Sequence, residues 1–255
     1  MIEFTSKILK DKFIELINKD NIKECISNIN QLNICQLDVD DIINNSEVVK
    51  CDITKEIIYD NINEITEYIN INRSNYQKWN CKKLNNGLIL ENIAATPRNK
   101  KRITIYNKEK EIRKSENTPF LNILSDKNKI FEYLKNKIRF ELNINTKIQI
   151  RKLLSISTNN LLDVLSSNEN PIITIFDEAI ANKVNHNKQS TNLREYEREL
   201  LIKECEYDLS KVELIIRKYT SKNTSIKRIM KPYIELNNKL NNQSYKNINL
   251  KELLK

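Results

Sequence analysis

Lys137 to Asn145 reads KIRFELNIN, and apolar and polar residues alternate along this stretch with a period of two. Such alternation is typical of a strand that buries one face and leaves the other open. The face predicted to be buried carries Ile138, Phe140, Leu142 and Ile144. Arg139 and Glu141 are left on the opposite face, where they are available for chemistry.

Two other stretches have the same alternation: VVKCDITKE (Val48 to Glu56) and KRITIYNKEKE (Lys101 to Glu111). Their predicted buried residues are Val49, Cys51 and Ile53 in the first stretch and Ile103 and Ile105 in the second. Asp52 and Tyr106 then lie on the opposite faces. If the three strands are neighbours in one sheet, Asp52, Tyr106 and Glu141 converge on its open side. Two carboxylates and a tyrosine are enough for a metal ion and an oxygen nucleophile.

The composition limits the classes of protein to which the chain can belong. It has 255 residues, of which 39% are hydrophobic, so it can bury a core as one domain with appendages or as two small domains. A single glycine excludes both a Walker A loop and a dinucleotide-binding fingerprint. The bias towards Asn, Lys and Ile indicates AT-rich coding DNA, so most asparagines carry no functional information.

The charge balance favours an anionic partner. The net charge is +9 and the sequence pI is about 9.1, which suits nucleic acid first and a membrane surface second. Lysine-rich coding bias, which would produce only solvated lysines, is the alternative explanation.

The cysteines and the apolar runs indicate the compartment. The five cysteines form no CxxC pair, which predicts a reduced, cytoplasmic protein without a cysteine metal site. The N-terminus is charged from its third residue, unlike a signal peptide. No apolar run approaches the roughly 20 residues of a membrane span, so no membrane partner is expected.

The N-terminal half of the chain mixes helical and strand patterns. Residues 5–45 are predicted to be mostly helical, and residues 55–70 fit a helix that crosses the sheet. Residues 72–86 are polar and are predicted to be irregular. Gly87 to Asn107 is predicted to be a hairpin that includes the Tyr106 strand.

The predicted fold class is α+β: an antiparallel sheet with helices packed on one face, followed by a mainly helical C-terminal part. The domain boundary is predicted near residue 168, with an α+β core over 1–168 and a helical region over 169–255. One long helix is predicted over 190–219, because apolar residues keep the helical period throughout that stretch.

The two carboxylates each have a simpler interpretation as surface residues. Asp52 is flanked by lysines, and Glu141 lies two residues from Arg139, so each is compatible with a surface ion pair. Magnesium chemistry, however, needs only one or two carboxylates in addition to substrate phosphate oxygens. Glu56 or Glu91 would be additional carboxylates for such a site.

Tyr106 is an ordinary strand residue by type, and its neighbours make it a candidate nucleophile. It is followed by Asn107 and Lys108, and Arg102 precedes it on the same face. Cations lower the cost of forming a phenolate and bind phosphate. A tyrosine oxygen is a recognised covalent nucleophile, and a metal-bound phosphodiester is its natural target. Tyr59 and Tyr76 are alternative nucleophiles.

A cluster of cations and aromatic side chains suits single-stranded nucleic acid, because bases stack on aromatic rings. It consists of Arg73, Tyr76, Lys78, Trp79, Lys82 and Lys83. Trp79 could equally anchor a loop into the core. His186, the only histidine, lies in a polar stretch and is predicted to be a solvated surface residue.

The three stretches resemble the motifs of plasmid and filamentous-phage replication initiators of the gene II/X replication protein family. The motifs here are Val49 to Lys55 (VKCDITK), Arg102 to Glu111 (RITIYNKEKE) and Arg139 to Glu141 (RFE). The opening FTSKIL, Phe4 to Leu9, is also similar to this group. The resemblance spans roughly residues 4–155. Each motif is short, and their order and spacing carry the resemblance.

The resemblance implies a rolling-circle initiator that nicks one DNA strand of an origin. A tyrosine keeps the 5′ phosphate, and the free 3′ hydroxyl primes synthesis. Transferred to this chain, Tyr106 is the nucleophile candidate, and Asp52 and Glu141 are the candidate ligands of Mg²⁺ or Mn²⁺. The charge of Lys108 would stabilise the phosphate or the phenolate. Many such nickases bind metal through two histidines that flank a hydrophobic residue, and that motif is missing here, so a carboxylate-only site is required.

The expected partners follow from this interpretation. Single-stranded or hairpin origin DNA would be bound by Arg102, Arg139, Trp79, Lys82 and Lys83. Host replication proteins would be further partners, and the 190–219 helix is a candidate contact for a homodimer. The main alternative is a non-enzymatic basic DNA-binding protein that controls plasmid copy number or transcription. A helical interaction protein that acts through the 190–219 helix is a third hypothesis.

Overall fold

The computed structural model describes residues 1–73, 78–93, 96, 100–180, 192–221, 225–244 and 250–255. Its centre is a five-stranded sheet made of β1 (Cys51–Ile58), β2 (Trp79–Leu84), β3 (Gly87–Asn92), β4 (Arg102–Asn107) and β5 (Lys137–Ile144). The order across the sheet is β1-β5-β4-β3-β2, and every neighbouring pair is antiparallel. The last strand in the sequence is therefore the one between β1 and β4.

The antiparallel sheet, its accompanying helices and the helical C-terminal part confirm the predicted α+β class. The helices are α1 (Ile22–Asn30), α2 (Val39–Asn45), α3 (Ile62–Asn72), α4 (Lys108–Ile112), α5 (Thr118–Asn122), α6 (Lys127–Leu134), α7 (Lys147–Leu153), α8 (Leu161–Ser166), α9 (Pro171–Ala179), α10 (Leu193–Glu204), α11 (Leu209–Tyr219), α12 (Ile226–Ser244) and α13 (Leu250–Leu254), with 3₁₀ helices at Ser6–Glu15 and Ser115–Asn117. Within the described segments, no helix is long and apolar enough to cross a membrane.

The main core lies on one face of the sheet, where the predicted alternation holds. Ile138, Phe140, Leu142 and Ile144 of β5 are all buried. They pack with apolar residues of α3, α7 and α9 in one cluster, and the ring of Phe140 meets that of Phe176 edge to face at 5.8 Å. Burial of this face fixes the register, because a slip of one residue would turn the opposite face inward.

The core of the sheet extends past residue 168. Ile172, Ile175 and Phe176 of α9, together with Leu250 and Leu254 of α13, belong to the same cluster as the strands. Helices α10, α11 and α12 instead bury a core of their own around Ile202, Leu209, Val212, Met230 and Leu236. The division into 1–168 and 169–255 stays a prediction, but elements from both sides of it cover the sheet.

The single helix predicted over 190–219 is wrong in one respect, since α10 and α11 are separate helices. Glu206 and Tyr207 between them have φ of 54° and 62°, a left-handed conformation that ends a right-handed helix. Asp208 then caps α11 by accepting from the backbone N–H of Ser210. The apolar period hid the break, because Cys205 and Leu209 on either side keep a spacing of four residues.

Two further boundaries differ from the prediction. Residues 72–86, predicted to be irregular, contain the edge strand β2, which pairs with β3 only. Half of its six side chains are apolar, but the adjacent Lys82 and Lys83 interrupt the alternation. The helix predicted over 55–70 is partly strand: β1 continues to Ile58, and α3 begins at Ile62 behind the capping side chain of Asn61. The hairpin of Gly87 to Asn107 is confirmed by the pairing of β3 with β4.

Candidate active site on the open face of the sheet

The three strands carrying Asp52, Glu141 and Tyr106 are direct neighbours, which is the condition for a shared site given by the sequence. Strand β5 with Glu141 lies between β1 with Asp52 and β4 with Tyr106. Three cross-strand rows run over this face: Asp52–Asn143–Arg102, Thr54–Glu141–Thr104 and Glu56–Arg139–Tyr106. The side chains of directly paired residues point to the same side of a sheet. Both carboxylates and the tyrosine therefore share the face opposite the main core.

Tyr106 and Glu141 are joined by a hydrogen bond. The phenol O–H of Tyr106 donates to Oε1 of Glu141 at 2.6 Å. Burial, followed by the charge of Glu141 and this hydrogen bond, raises the pKa of Tyr106 well above its usual range, although the charge of Arg139 opposes the shift. The phenol is therefore protonated at neutral pH, with its proton aimed at a carboxylate.

Arg139 links two carboxylates of this face. Its side chain is only 4% exposed, and its Nε donates to Oε1 of Glu56 at 2.8 Å, with Nη2 donating to the same oxygen. Its Nη1 lies 3.6 Å from Oε1 of Glu141, the oxygen that accepts the proton of Tyr106. Lys137 also binds Glu56, with Nζ 3.3 Å from Oε2. We predicted Arg139 as a nucleic-acid contact; it is buried against carboxylates instead, so its guanidinium is not an exposed phosphate ligand.

Lys108 follows directly from the end of β4. The side chain of Asn107 caps α4 by accepting from the backbone N–H of Lys110, which places Lys108 in the first turn of that helix. Its Nζ lies 2.5 Å from Oε2 of Glu111 and 5.6 Å from the centre of the Tyr106 ring. A cation at this distance stabilises negative charge on the ring oxygen.

The pKa values of this pair show that burial and pairing compete. Burial, followed by the charge of Arg139, lowers the pKa of Lys108, although Glu111 opposes the shift. Burial alone would raise the pKa of Glu111, but the hydrogen bond and charge of Lys108 outweigh it, and the pKa is lowered. The lowered pKa of Glu111 favours its charged form, whereas the lowered pKa of Lys108 works against the charged form of the lysine.

Phe13 closes one end of the site. The N-terminal 3₁₀ helix places its buried ring 5.3 Å from Nζ of Lys108 and 6.0 Å from the guanidinium of Arg139. Phe120 packs edge to face against it at 5.1 Å. This apolar wall keeps water from the two cations, which strengthens their pairing with carboxylates. In the sequence, Phe13 is one apolar residue within the stretch over 5–45 that is predicted to be mostly helical.

The only glycine of the chain lies opposite Tyr106. Gly87 pairs with Tyr106 in the sheet and has a φ of 152°. A Cβ added at Gly87 would lie 1.9 Å from the carbonyl oxygen of Ile105, so no other residue fits without moving β3 away from β4. The close approach of the two strands beside Tyr106 therefore depends on this glycine. The sequence offered one signal of its importance, because it is the single glycine in 255 residues.

Asp52 lies at the exposed end of the face. Its Oδ1 accepts a hydrogen bond of 2.5 Å from Nδ2 of Asn143, its partner on β5. The flanking lysines are directed elsewhere: Lys50 donates to Glu3 and Lys55 to the backbone carbonyl of Lys255. The simpler interpretation of Asp52 as half of a surface pair with one of these lysines is thus not what the structure shows.

Asp52 and Glu141 are the two carboxylates of this face that could hold a small divalent cation. Asp52 and Glu141 are diagonal neighbours on adjacent strands, a relation that separates Cα atoms by about 7–8 Å and allows two carboxylates to reach a common point. Carboxylate oxygens suit Mg²⁺ or Mn²⁺, which retain waters and bind substrate phosphate. Among the described residues, no group of three or more His, Cys, Asp or Glu side chains is arranged for a metal.

Glu91, the other carboxylate considered for such a site, pairs with Lys100 at 3.0 Å. His186 lies outside the described residues.

The predicted nucleic-acid contacts separate into two groups. Arg102 and Lys82 are exposed on the same face as Tyr106, while Lys83 is exposed on the other face of β2. The prediction that Trp79 contacts nucleic acid is corrected by its burial. Trp79 is 3% exposed and packs in the main core, so its ring has no free surface on which a base could stack. Tyr76 falls outside the described residues.

The family model for the N-terminal region of a phage replication-associated protein, the gene II protein, matches residues 16–162, more than half of the chain. The chain belongs to this family. The family is one of phage rolling-circle replication initiators, so the resemblance found in the motifs is confirmed. The matched range contains all five strands of the sheet and therefore Asp52, Tyr106 and Glu141. No curated protein matches the chain, and no solved structure does.

Proposed function

We propose that this protein nicks origin DNA by transesterification, with Tyr106 as the nucleophile and a divalent metal held by Asp52 and Glu141. The observation that carries the proposal is the 2.6 Å hydrogen bond from Tyr106 to Glu141. This bond lies on the open face of the sheet, and the replication-initiator family model matches all five strands of that sheet. A hydroxyl nucleophile bonded to a carboxylate base is the arrangement that activates such nucleophiles.

The reaction needs one bond to form and one to break at phosphorus. Oη of Tyr106 attacks the scissile phosphate, and its proton passes to Glu141 along the existing hydrogen bond. The bond between phosphorus and the 3′ oxygen breaks, and that oxygen takes up a proton from water. The products are a 5′-phosphotyrosine and a free 3′ hydroxyl. The reverse reaction rejoins the strand.

The surroundings of Tyr106 determine when the proton leaves. Because burial and Glu141 raise the pKa of Tyr106, a phenolate does not form in advance, and proton transfer accompanies attack on the phosphate. Lys108, held over the ring by Glu111, stabilises the charge that then develops. Arg139 holds Glu141 beside the tyrosine through its own pairing with Glu56.

Mg²⁺ or Mn²⁺ bound by Asp52 and Glu141 would supply Lewis-acid stabilisation of the phosphate. The exposed position of Asp52 leaves that end of the face open to DNA. Arg102 and Lys82 lie exposed on the same face, where they would contact backbone phosphates of single-stranded or hairpin DNA.

The test is cleavage of labelled single-stranded DNA from the protein's own replicon with Mg²⁺ or Mn²⁺, resolved on a denaturing gel. Tyr106→Phe should abolish the covalent adduct and leave DNA binding intact. Tyr59→Phe is a matched control: the O–H of Tyr59 also donates to a glutamate, Glu64 at 2.5 Å, and its pKa is raised to about 12. An adduct that persists in Tyr106→Phe would overturn the assignment, and its loss in Tyr59→Phe would make Tyr59 the nucleophile instead.

The second hypothesis, a DNA-binding protein without cleavage, makes a different prediction. In that case the unmodified protein forms no adduct with either metal, and Tyr106→Phe binds DNA as before. The position of the Tyr106–Glu141 pair favours the enzyme, because Asp52 lies diagonal to Glu141 on the same open face of the sheet.

A further inference from the structure

Helices α10, α11 and α12 form a unit that the nicking chemistry does not use. They share a core of their own and lie beyond the family match, which ends at residue 162. The unit is fastened to the sheet domain through Arg73 at the end of α3. The guanidinium of Arg73 lies 3.3 Å from Oδ1 of Asp208 and donates to the hydroxyl of Ser210 at 3.1 Å.

Charge is segregated along this unit. Residues 193–213 contain seven acidic residues and four cations, whereas residues 214–234 contain six cations and no acidic residue. The six cations are Arg217, Lys218, Lys222, Lys227, Arg228 and Lys231. Lysine-rich coding bias would mix cations with acids along the chain, so it does not account for this separation.

Three of these cations form a surface at the start of α12. Lys227, Arg228 and Lys231 are exposed, and Lys231 follows the other two by four and three residues, which places it beside both on one side of the helix. Ile229 and Met230 face the core of the unit instead. The first turn of α12 has no acidic residue, so the positive end of the helix dipole adds to these charges.

The three cations also differ in their pairing from several other cations of the unit. Lys203, Lys211 and Lys239 lie within 2.7–2.9 Å of Glu199, Glu206 and Glu195 respectively. In the described part of the chain, the side chains of Lys227, Arg228 and Lys231 have no hydrogen bond or ion pair. Their charges are therefore available to an external anion without the cost of breaking an existing pair.

An exposed aromatic residue ends α11, and α12 begins seven residues further along the chain, at Ile226. Tyr219 is 77% exposed, and Nζ of Lys218 lies 5.5 Å from the centre of its ring. Cations interleaved with an exposed aromatic side chain suit nucleic acid, which offers both phosphates and base faces. A chain from a family of replication initiators has DNA as its substrate class, which favours DNA over an anionic membrane.

We propose that this basic corner, made of Lys218, Tyr219, Lys227, Arg228 and Lys231, binds the phosphate backbone of DNA as a second contact outside the nicking site. The contact would hold the origin on the protein independently of Tyr106 and without reading base sequence. It goes beyond the proposed nicking reaction, because cleavage requires only the face of the sheet.

The experiment measures binding to a duplex of mixed sequence, about 20 base pairs long, by fluorescence anisotropy at several salt concentrations without divalent metal. The triple variant Lys227→Ser, Arg228→Ser, Lys231→Ser should lower the slope of log affinity against log salt by about 2.7, since each lost phosphate contact contributes about 0.9. The variant Lys227→Arg, Arg228→Lys, Lys231→Arg keeps the charges and should keep the slope.

A matched control removes three exposed cations elsewhere: Lys19→Ser, Arg151→Ser and Lys152→Ser. Both triple variants lower the net charge by three, so a general charge effect would lower their slopes equally and overturn the proposal. An unchanged slope in the basic-corner variant would also overturn the proposal. So would a basic-corner variant that loses binding to vesicles of anionic lipid but retains DNA binding. Because the assay needs no cleavage, its result is independent of whether Tyr106 is the nucleophile.

Discussion

The cations on the open face of the sheet and those of the basic corner are of the same residue types but have opposite surroundings. Arg139 and Lys108 are buried, and each is paired with a glutamate beside Tyr106. Lys227 and Arg228 are exposed, and they lie within residues 214–234, which contain no Asp or Glu. Buried, paired cations fix the geometry of a site, whereas exposed, unpaired cations attract an anion at long range.

This difference has a measurable consequence in salt. Pairs shielded from water are screened weakly by ions, while exposed charges are screened within about 10 Å at 0.1 M salt. We therefore expect changes to the buried cations to alter the rate of cleavage with little change in salt dependence. Changes to the basic corner should alter the salt dependence of binding and leave the rate of the chemical step unchanged.

The largest effect is expected from Glu141→Gln. Glutamine cannot accept the proton of Tyr106 and is a weaker metal ligand, so single-turnover cleavage should fall by about 10²–10⁴-fold. Glu64→Gln removes the partner of Tyr59 in the same way and serves as the control. DNA affinity measured without metal should not fall in either variant. If Glu141→Gln cleaves DNA at the same rate as the unmodified protein, Glu141 has no role in the reaction.

An intermediate effect is expected from Arg139→Lys, which keeps the charge and loses the forked contact to Glu56 and Glu141. Residues that orient a metal ligand typically change metal affinity or activity by about 10–100-fold. The rate measured against Mn²⁺ concentration should show a weaker metal dependence, with an unchanged salt slope for DNA binding. A reduced salt slope with normal metal affinity would instead make Arg139 a phosphate contact.

The smallest effect on cleavage is expected from Glu111→Gln, whose main consequence is on stability. Lys108 would remain buried without its carboxylate, which should lower the free energy of unfolding by about 2 kcal/mol at pH 7. The folded-state pKa of Glu111 is lowered, so its stabilisation is present above the ordinary pKa near 4.5 and is lost as pH falls through the folded value. Urea unfolding should therefore show a gap between the two proteins that narrows below pH 4.5. A gap that is constant with pH would contradict the pairing.

The buried face of the sheet was predictable because the hydrophobic effect acts on each strand separately. Alternation along β5 alone identifies Ile138 and Phe140 as core residues, and by elimination places Glu141 on the open face. The adjacency of β1, β5 and β4 was predicted as a condition for a site and is confirmed by the topology. The strand β2 was missed because the adjacent Lys82 and Lys83 break its apolar alternation.

The interactions within the open face could not be read from the sequence. Arg139 looked like a surface residue, since polar alternation does not reveal that Phe13, about 125 residues earlier, closes over it. The choice of Glu56 as its partner depends on the register between β1 and β5. Gly87 likewise acquires its importance only from the neighbouring carbonyl of Ile105. Such pairings are long-range and have no local sequence signal.

Peptide mapping of the covalent adduct tests the central claim most directly. The protein is incubated with single-stranded origin DNA and Mn²⁺, digested with nuclease and protease, and analysed by mass spectrometry. We expect a 5′-nucleotide phosphate on the peptide that contains Ile103 to Asn107, attached to Tyr106. The same modification on the peptide of Tyr59 or Tyr76, with Tyr106 unmodified, would contradict the account.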